Sequence, residues 1–218
     1  MEFKFTKAAV QDQGKPPDWF LKEQVLWARA AFALKPELFS PNQNYDIFNK
    51  VFTELGPWDS ELHRVAVICE VERVLAGFES SWNHNEGVDM SRRNETTNEN
   101  AEAGAWQMSY DARHLDPSIQ QCLIDNHIRD GAMFQQFIKT DHPFSMEFIT
   151  RVLRVDVKDY DRIASGPVRK VNGYNGKDER RLTWPTRPRF WSEDESIYPW
   201  LSRKSVAEFA ELIANVEV

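Results

Sequence analysis

The residues that most constrain the fold lie between Asp59 and Trp82. Apolar side chains recur there at close to helical spacing, and many of the intervening residues are apolar as well. Asp59 or Ser60 supplies an N-terminal cap, and the apolar pattern continues to Phe78. A helix that is apolar around most of its circumference must be enclosed by other elements. The pattern therefore predicts a central, largely buried helix on which the rest of the chain packs.

The rest of the chain also has helical patterns, and strand signals are scarce. The fold class predicted is mainly α, with little or no β-sheet. We expect a single domain with an N-terminal helical extension (1–58), a core (59–181) and a C-terminal strap and helix (182–218). Five further helices are predicted. The first begins at Trp19 after the cap Asp18, and the second runs from Tyr45 to Leu55 with Phe52 facing inward. The third begins at Asp116-Pro117 with a kink at Gly131, the fourth begins near Pro143, and the fifth starts with a capping box at Ser205–Glu208.

Composition excludes several classes of function. The formal net charge of −7 argues against binding to a phosphate backbone, so we expect no nucleic-acid partner. The chain has no run of 18 apolar residues, so no membrane span is expected. The first residues also lack the apolar segment of a conventional secretory signal.

Cysteine and histidine usage gives no sign of a cofactor. Cys69 and Cys122 both fall in apolar helical contexts, and we expect two reduced core residues. The five histidines are scattered and none forms an H-E-x-x-H pair. We therefore expect no metal ion and no cofactor.

Glu79 is the leading candidate for chemistry. It lies where the central helix gives way to a polar loop, between Phe78 and Trp82. A carboxyl group beside two aromatic rings loses solvation, which disfavours its charged form. The negative end of the helix dipole acts in the same direction. A carboxylic acid that keeps its proton near neutral pH can serve as a general acid. In contrast, Glu72 is expected to be solvated or paired with its neighbour Arg73.

Two further segments complete a pattern with Glu79. The loop from Asn83 to Ala103 carries five Asn and five acidic residues, and long polar loops of this kind are usually functional or mobile. The segment Gly104–Ser109, GAWQMS, then offers a tight turn suited to a cleft wall. A third segment, NGYNG at 172–176, is a strong turn signal.

In this order, E-S-S-W at 79–82, GAWQMS at 104–109 and NGYNG at 172–176 resemble the three signatures of the lysozyme-like superfamily. The resemblance is greatest to lytic transglycosylases and goose-type lysozymes, and it covers roughly residues 60 to 180. The usual Gly-Leu-Met-Gln segment reads Gly-Ala-Trp-Gln here, so its ends are kept and its middle pair is not.

The resemblance implies roles for individual residues. Glu79 would be the catalytic acid, and Tyr174 would place its hydroxyl group near the Glu79 carboxyl group. Ser80 would support Glu79. The residues assigned to substrate binding are Ser80, Trp82, Glu102, Gln107, Met108, Tyr110 and Asn175.

The resemblance also implies the reaction: cleavage of the β-1,4 bond between N-acetylmuramic acid and N-acetylglucosamine in peptidoglycan. An inverting hydrolase needs a second carboxylate about 6.5–9.5 Å from the acid. Glu99 is the first candidate for this base, followed by Glu102 and Asp89, with Asp111 a weaker choice. A muramidase is favoured, and the alternative is a lytic transglycosylase, in which the substrate's own 6-hydroxyl group attacks to give a 1,6-anhydro product.

Other interpretations stay open. An enzyme of the same superfamily acting on chitosan or chitin is one, and a non-catalytic module that binds cell wall or a partner protein is another. A helical interaction protein with chance motif matches is the third.

In size and in its lack of a secretory signal the chain is similar to small glycoside hydrolase effectors of contractile (type VI) secretion systems. That resemblance implies synthesis in the cytoplasm, action in the periplasm or cell wall of a target cell, and a periplasmic immunity protein as partner. The other way for such an enzyme to reach the cell wall is as a phage lysin.

Overall fold

The computed structural model describes residues 1–40, 46–87, 97–155 and 197–217. These ranges are mainly helical, which confirms the predicted fold class. Their strand-like pairing is limited to one isolated bridge between Ala103 and Met108. The helices are α1 (Asp18–Leu34), α2 (Ile47–Lys50), α3 (Phe52–Leu55), α4 (Glu61–Ser80), α5 (Pro117–Asp125), α6 (Gly131–Thr140), α7 (His142–Leu153) and α8 (Arg203–Asn215).

Helix α4 is the central element, as predicted. Its N-cap is Ser60, whose hydroxyl oxygen accepts a hydrogen bond from the backbone N–H of His63. Every residue from Val65 to Gly77 is buried, so no face of the middle of the helix meets solvent. Helices α1, α7 and α8 all pack directly on it. The segment predicted as an N-terminal extension therefore contributes α1 to the same core.

A fully buried ion pair on α4 ties both ends of the chain to this helix. Arg73 donates two hydrogen bonds to the carboxylate of Glu70, at 2.7 and 2.8 Å. The same guanidinium group donates to the carbonyl oxygen of Ala8, and the carboxylate of Glu70 accepts from the backbone N–H of Ser202. Burial raises the pKa of Glu70, and the charge of Arg73 opposes that rise.

The C-terminal helix differs from the predicted capping box. Helix α8 begins at Arg203, and its N-cap is Ser202, whose side chain accepts from the backbone N–H of Ser205. The carboxylate of Glu208 instead accepts three hydrogen bonds from the backbone N–H groups of residues 4–6 at the start of the chain, at 2.6 to 2.9 Å. Glu208 therefore holds the N-terminal segment on α8.

The predicted helix from Tyr45 to Leu55 is two short helices, α2 and α3, separated at Val51. Tyr45 lies outside the described residues. Asp46 caps α2 by accepting from the backbone N–H of Phe48. The break turns Phe52 outward, and its side chain is 50% exposed, so the prediction that it faces inward is wrong.

Two other details of the predicted helices need correction. Asp18 is the first residue of α1 and makes no capping hydrogen bond, because its carboxylate is paired with Lys7 at 2.6 Å. The run after Asp116-Pro117 does not kink at Gly131 but ends at Asp125, and Asp130 caps a new helix, α6. Gly131 is required there, since an added Cβ atom would lie 1.9 Å from the carbonyl oxygen of Asn98.

The cysteines follow the prediction, since Cys69 and Cys122 are both free and buried. Within the ranges that the structure describes, no helix combines the length and the apolar character needed to cross a bilayer.

The ion pair gives a stability prediction. Arg73→Met leaves the carboxylate of Glu70 buried without a charged partner, and we expect a loss of about 3–5 kcal/mol in the free energy of unfolding. Urea denaturation measures the loss, with Arg129→Met, at an exposed position, as the matched control. The double variant Glu70→Met/Arg73→Met should recover part of the loss because it buries no unpaired charge. A loss below about 1 kcal/mol in Arg73→Met, within the range of an exposed ion pair, would contradict this role.

Candidate active site

Glu79 lies in the last turn of α4, where the chain reverses sharply. Ser81 follows the helix with a positive φ of 54°, in the left-handed region. The backbone N–H groups of Ser81 and Trp82 donate back to the carbonyl oxygens of Gly77 and Ala76, at 3.1 and 2.9 Å. This pattern is a helix-terminating motif that satisfies the last carbonyl groups. Glu79 is half-buried beside this reversal.

Ser80 joins the end of α4 to the Gly104–Ser109 segment. Its hydroxyl group donates to the carbonyl oxygen of Ala105 at 2.8 Å. The same oxygen accepts from the backbone N–H of Asn83 at 3.0 Å. One hydroxyl group therefore connects two motifs that are separated by a long loop, and it lies next to Glu79 in the chain.

Two tryptophan side chains fix this junction to the buried part of α4. The indole N–H of Trp82 donates to the carbonyl oxygen of Arg73, and that of Trp106 donates to the carbonyl oxygen of Glu72, both at 2.8 Å. Trp82 is only 2% exposed, and its ring lies so close to Gly77 that an added Cβ atom there would approach it to 2.8 Å. Trp82, predicted to bind substrate, therefore packs the core in this structure and presents no surface to a glycan.

The Gly104–Ser109 segment forms a tight turn closed by the Ala103–Met108 bridge. Gly104 has a positive φ of 79°, and an added Cβ atom would lie 3.0 Å from the carbonyl oxygen of Ile138. The side chain of Gln107 donates to the carbonyl oxygen of Gly104 at 3.0 Å and is half-buried, while Met108 is buried. Of the two residues of this segment predicted to bind substrate, Gln107 is the one that offers a partly accessible polar group beside the turn.

Glu99 and Tyr110 belong to a neighbouring network centred on Arg113. The carboxylate of Glu99 lies 3.1 Å from the Arg113 guanidinium group, and its other oxygen accepts from the backbone N–H of Gly131 at 3.3 Å. The same guanidinium group lies 4.0 Å from the centre of the Tyr110 ring and 3.0 Å from Asp111. One oxygen of Glu99 thus binds the start of α6, and the other pairs with Arg113 in the short 3-10 helix Tyr110–His114.

The structure says little about the other residues predicted for the site. Glu102 is exposed. Tyr174, Asn175 and Asp89 lie outside the described residues, so the predicted approach of Tyr174 to Glu79 stays a prediction.

Glu72 differs from its expected state. It is fully buried, and Arg73 pairs with Glu70 instead. One of its oxygens accepts from the hydroxyl group of Thr150 at 2.6 Å, and burial raises the pKa of Glu72 to about 8. Among the described residues, the other oxygen of Glu72 and the amide oxygen of Gln24 have no hydrogen-bond partner. Because Glu72 is completely buried, we assign it a role in the stability of the fold and not in catalysis.

A cluster of Glu23, His84 and His142 escaped the sequence analysis. Glu23 is on α1, His84 follows α4, and His142 begins α7, so the outer members are 119 residues apart. The Nδ1 atom of His142 lies 2.8 Å from a Glu23 carboxylate oxygen, and the Nε2 atom of His84 lies 3.8 Å from the same oxygen. The only hint in the sequence was the position of His84, two residues after the E-S-S-W motif.

Comparisons of the chain with protein families, with curated proteins and with solved structures return no match.

The bridging hydroxyl group gives a second prediction. Ser80→Ala removes the donor to Ala105 and the acceptor for Asn83, and a partly buried polar group left without its partner costs about 1–3 kcal/mol. We expect that loss in urea denaturation, together with faster amide hydrogen exchange in the Gly104–Met108 turn. Ser118→Ala, at an exposed position, is the control. Equal stability and equal exchange in the two variants would show that the hydroxyl group does not join the segments.

Glu72 gives a pH prediction. In the unfolded chain its pKa is near the ordinary 4.5, and in the folded chain it is about 8. Between these values the folded state holds one extra proton, so stability from this group is complete below about pH 4.5 and is lost as the pH rises towards 8. The slope is about 1.4 kcal/mol per pH unit. Glu72→Gln mimics the protonated acid and should lose this slope.

The measurement is the free energy of unfolding of both proteins at several values between pH 5 and 9, with Glu211→Gln, at an exposed position, as the control. The expected result is a gain in the stability of Glu72→Gln over the native chain that grows with pH. A difference that stays constant across this range would mean that Glu72 is already ionised in the fold.

Proposed function

We propose that this chain is a lysozyme-like glycoside hydrolase, a muramidase, that cleaves the β-1,4 bond between N-acetylmuramic acid and N-acetylglucosamine in peptidoglycan. Glu79 is the general acid that protonates the leaving oxygen. The observation that carries the proposal is the Ser80–Ala105 hydrogen bond, because it joins the first two sequence motifs directly. Chance matches in an unrelated helical protein would have no reason to be in contact.

The position of Glu79 suits the role in three ways. It lies at the end of a rigid, enclosed helix, so its backbone is well positioned. It is half-buried, so it has both a partly desolvated environment and access from outside. The next residue, Ser80, is bonded to a turn that the Trp106 indole anchors to α4, so the chain around Glu79 is fixed on two sides.

The contacts of Glu99 favour a second candidate within the same class. A hydrolase needs a carboxylate base, and the first candidate for it is engaged by Arg113 and by the backbone of Gly131. A lytic transglycosylase needs no such base, because the substrate's own 6-hydroxyl group is the nucleophile. The two reactions differ by one water molecule in the product, so the mass of the released sugar distinguishes them.

The proposal predicts that Glu79→Gln lowers the rate of peptidoglycan solubilisation by about 10²- to 10⁴-fold, because the amide has no acidic proton to give. Glu86→Gln is the matched control: it changes a carboxyl group in the loop after α4 whose hydrogen bond with Asn83 an amide oxygen can keep. Glu86→Gln should retain near-native activity.

The same assay separates the alternatives. Near-native solubilisation by Glu79→Gln would remove this residue from catalysis. Tight binding to sacculi without release of fragments, in both the native chain and the variant, would identify a non-catalytic module. Faster turnover of chitosan than of peptidoglycan would identify the chitosanase-like enzyme.

A further inference from the structure

Glu23, His84 and His142 bring three potential metal ligands together from distant parts of the chain. One ligand atom from each lies within 4.8 Å of the other two. The two imidazole rings are stacked, with their centres 3.7 Å apart and their planes 10° apart. The carboxylate of Glu23 lies beside both rings. The cluster thus joins α1, the loop that follows α4, and the first residue of α7.

His84 is the unusual member. It is 2% exposed and packs against the rings of Phe20 and Trp106. Among the residues that the structure describes, neither of its ring nitrogens has a hydrogen-bond partner. A buried polar group without a partner is costly, and native proteins rarely keep one without a reason.

We propose that Glu23, His84 and His142 bind one divalent transition-metal ion of the Zn²⁺ class. Two imidazole nitrogens and one carboxylate oxygen are a donor set that Zn²⁺ accepts, whereas Ca²⁺ and Mg²⁺ prefer oxygen donors alone. The inference does not rest on the proposed glycan cleavage, and its test measures binding alone.

Binding requires a small rearrangement that the two partly exposed members, Glu23 and His142, can make. Zn²⁺ lies about 2.0–2.1 Å from a histidine nitrogen and within the plane of the ring, so two parallel stacked rings cannot both point at one ion. His84 is held by its aromatic neighbours, but the side chains of His142 and Glu23 are 29% and 38% exposed. Rotation of His142 out of the stack and a shift of the Glu23 carboxylate bring both onto an ion held by His84.

Three protein ligands leave a fourth position for water or another small ligand. Trp19 stands beside this cluster, with its ring centre 5.7 Å from that of His84 and 6.5 Å from that of His142. Its side chain is 46% exposed, so it forms an open aromatic edge to the site. An ion here fixes the loop after α4 to α1 and α7, and it stabilises the folded chain by an amount that grows with the logarithm of the free ion concentration once this exceeds the dissociation constant.

The test uses the full chain, freed of metal with a chelator that is then removed. Zn²⁺ is titrated in competition with a chromophoric chelator, and Co²⁺ is used as a spectroscopic substitute. We expect one ion per chain, visible absorption bands of four-coordinate Co²⁺, and a rise in the melting temperature with Zn²⁺. A stoichiometry below one ion per chain, or Co²⁺ spectra of the hexahydrated ion, would overturn the proposal.

The variants Glu23→Gln and His142→Gln change partly exposed ligands and spare the buried His84, so the fold is retained. Each should weaken Zn²⁺ binding by about 100-fold or more, since even changes to residues that only orient a ligand cost about 10- to 100-fold. His127→Asn is the control, because His127 is exposed outside the cluster. Equal affinity in all three variants would show that Zn²⁺ binds elsewhere on the surface, and would also overturn the proposal.

Discussion

The buried ion pair between Glu70 and Arg73 is the interaction on which the rest of the structure depends. A charged pair in the centre of an enclosed helix is tolerated only when its remaining donors and acceptors are satisfied. The chain meets this condition with backbone groups from its two ends, the carbonyl oxygen of Ala8 and the N–H group of Ser202. Both terminal segments are therefore part of the enclosure of α4. The contact of Glu208 with the N-terminal backbone closes the same arrangement from the side of α8.

The candidate site inherits its rigidity from this helix. The carbonyl oxygens of Glu72 and Arg73, two turns before Glu79, receive the indole N–H groups of Trp106 and Trp82. The turn that follows the polar loop and Trp82, the second residue after the helix, are thereby anchored to neighbouring points of the core. Ser80 adds a third connection at the end of the helix itself. Glu79 therefore lies on a helix whose other side chains are mostly packed in the core.

Local signals in the sequence predicted two helix caps correctly but not the cap proposed at Asp18, and contacts between distant residues were not predicted. Ser60 and Asp116 cap the helices for which they were proposed, because a cap is determined within a few residues. Glu208 has the spacing of a capping box but binds the other end of the chain. Glu72 was expected to be solvated or paired with its neighbour Arg73, whereas the structure buries it against Thr150 of α7. The cluster of Glu23, His84 and His142 was missed for the same reason, since its members meet only when α1, α4 and α7 have packed.

The central claim is that Glu79 protonates a glycosidic oxygen in peptidoglycan. Mass analysis of the soluble fragments released from purified sacculi tests it most directly. The account predicts disaccharide-peptide fragments that end in muramic acid, either as the reducing sugar or as the 1,6-anhydro sugar, from the native chain and none from Glu79→Gln. Release of peptides without sugar, release of the same fragments by Glu79→Gln, or sacculi left intact by the native chain would contradict it.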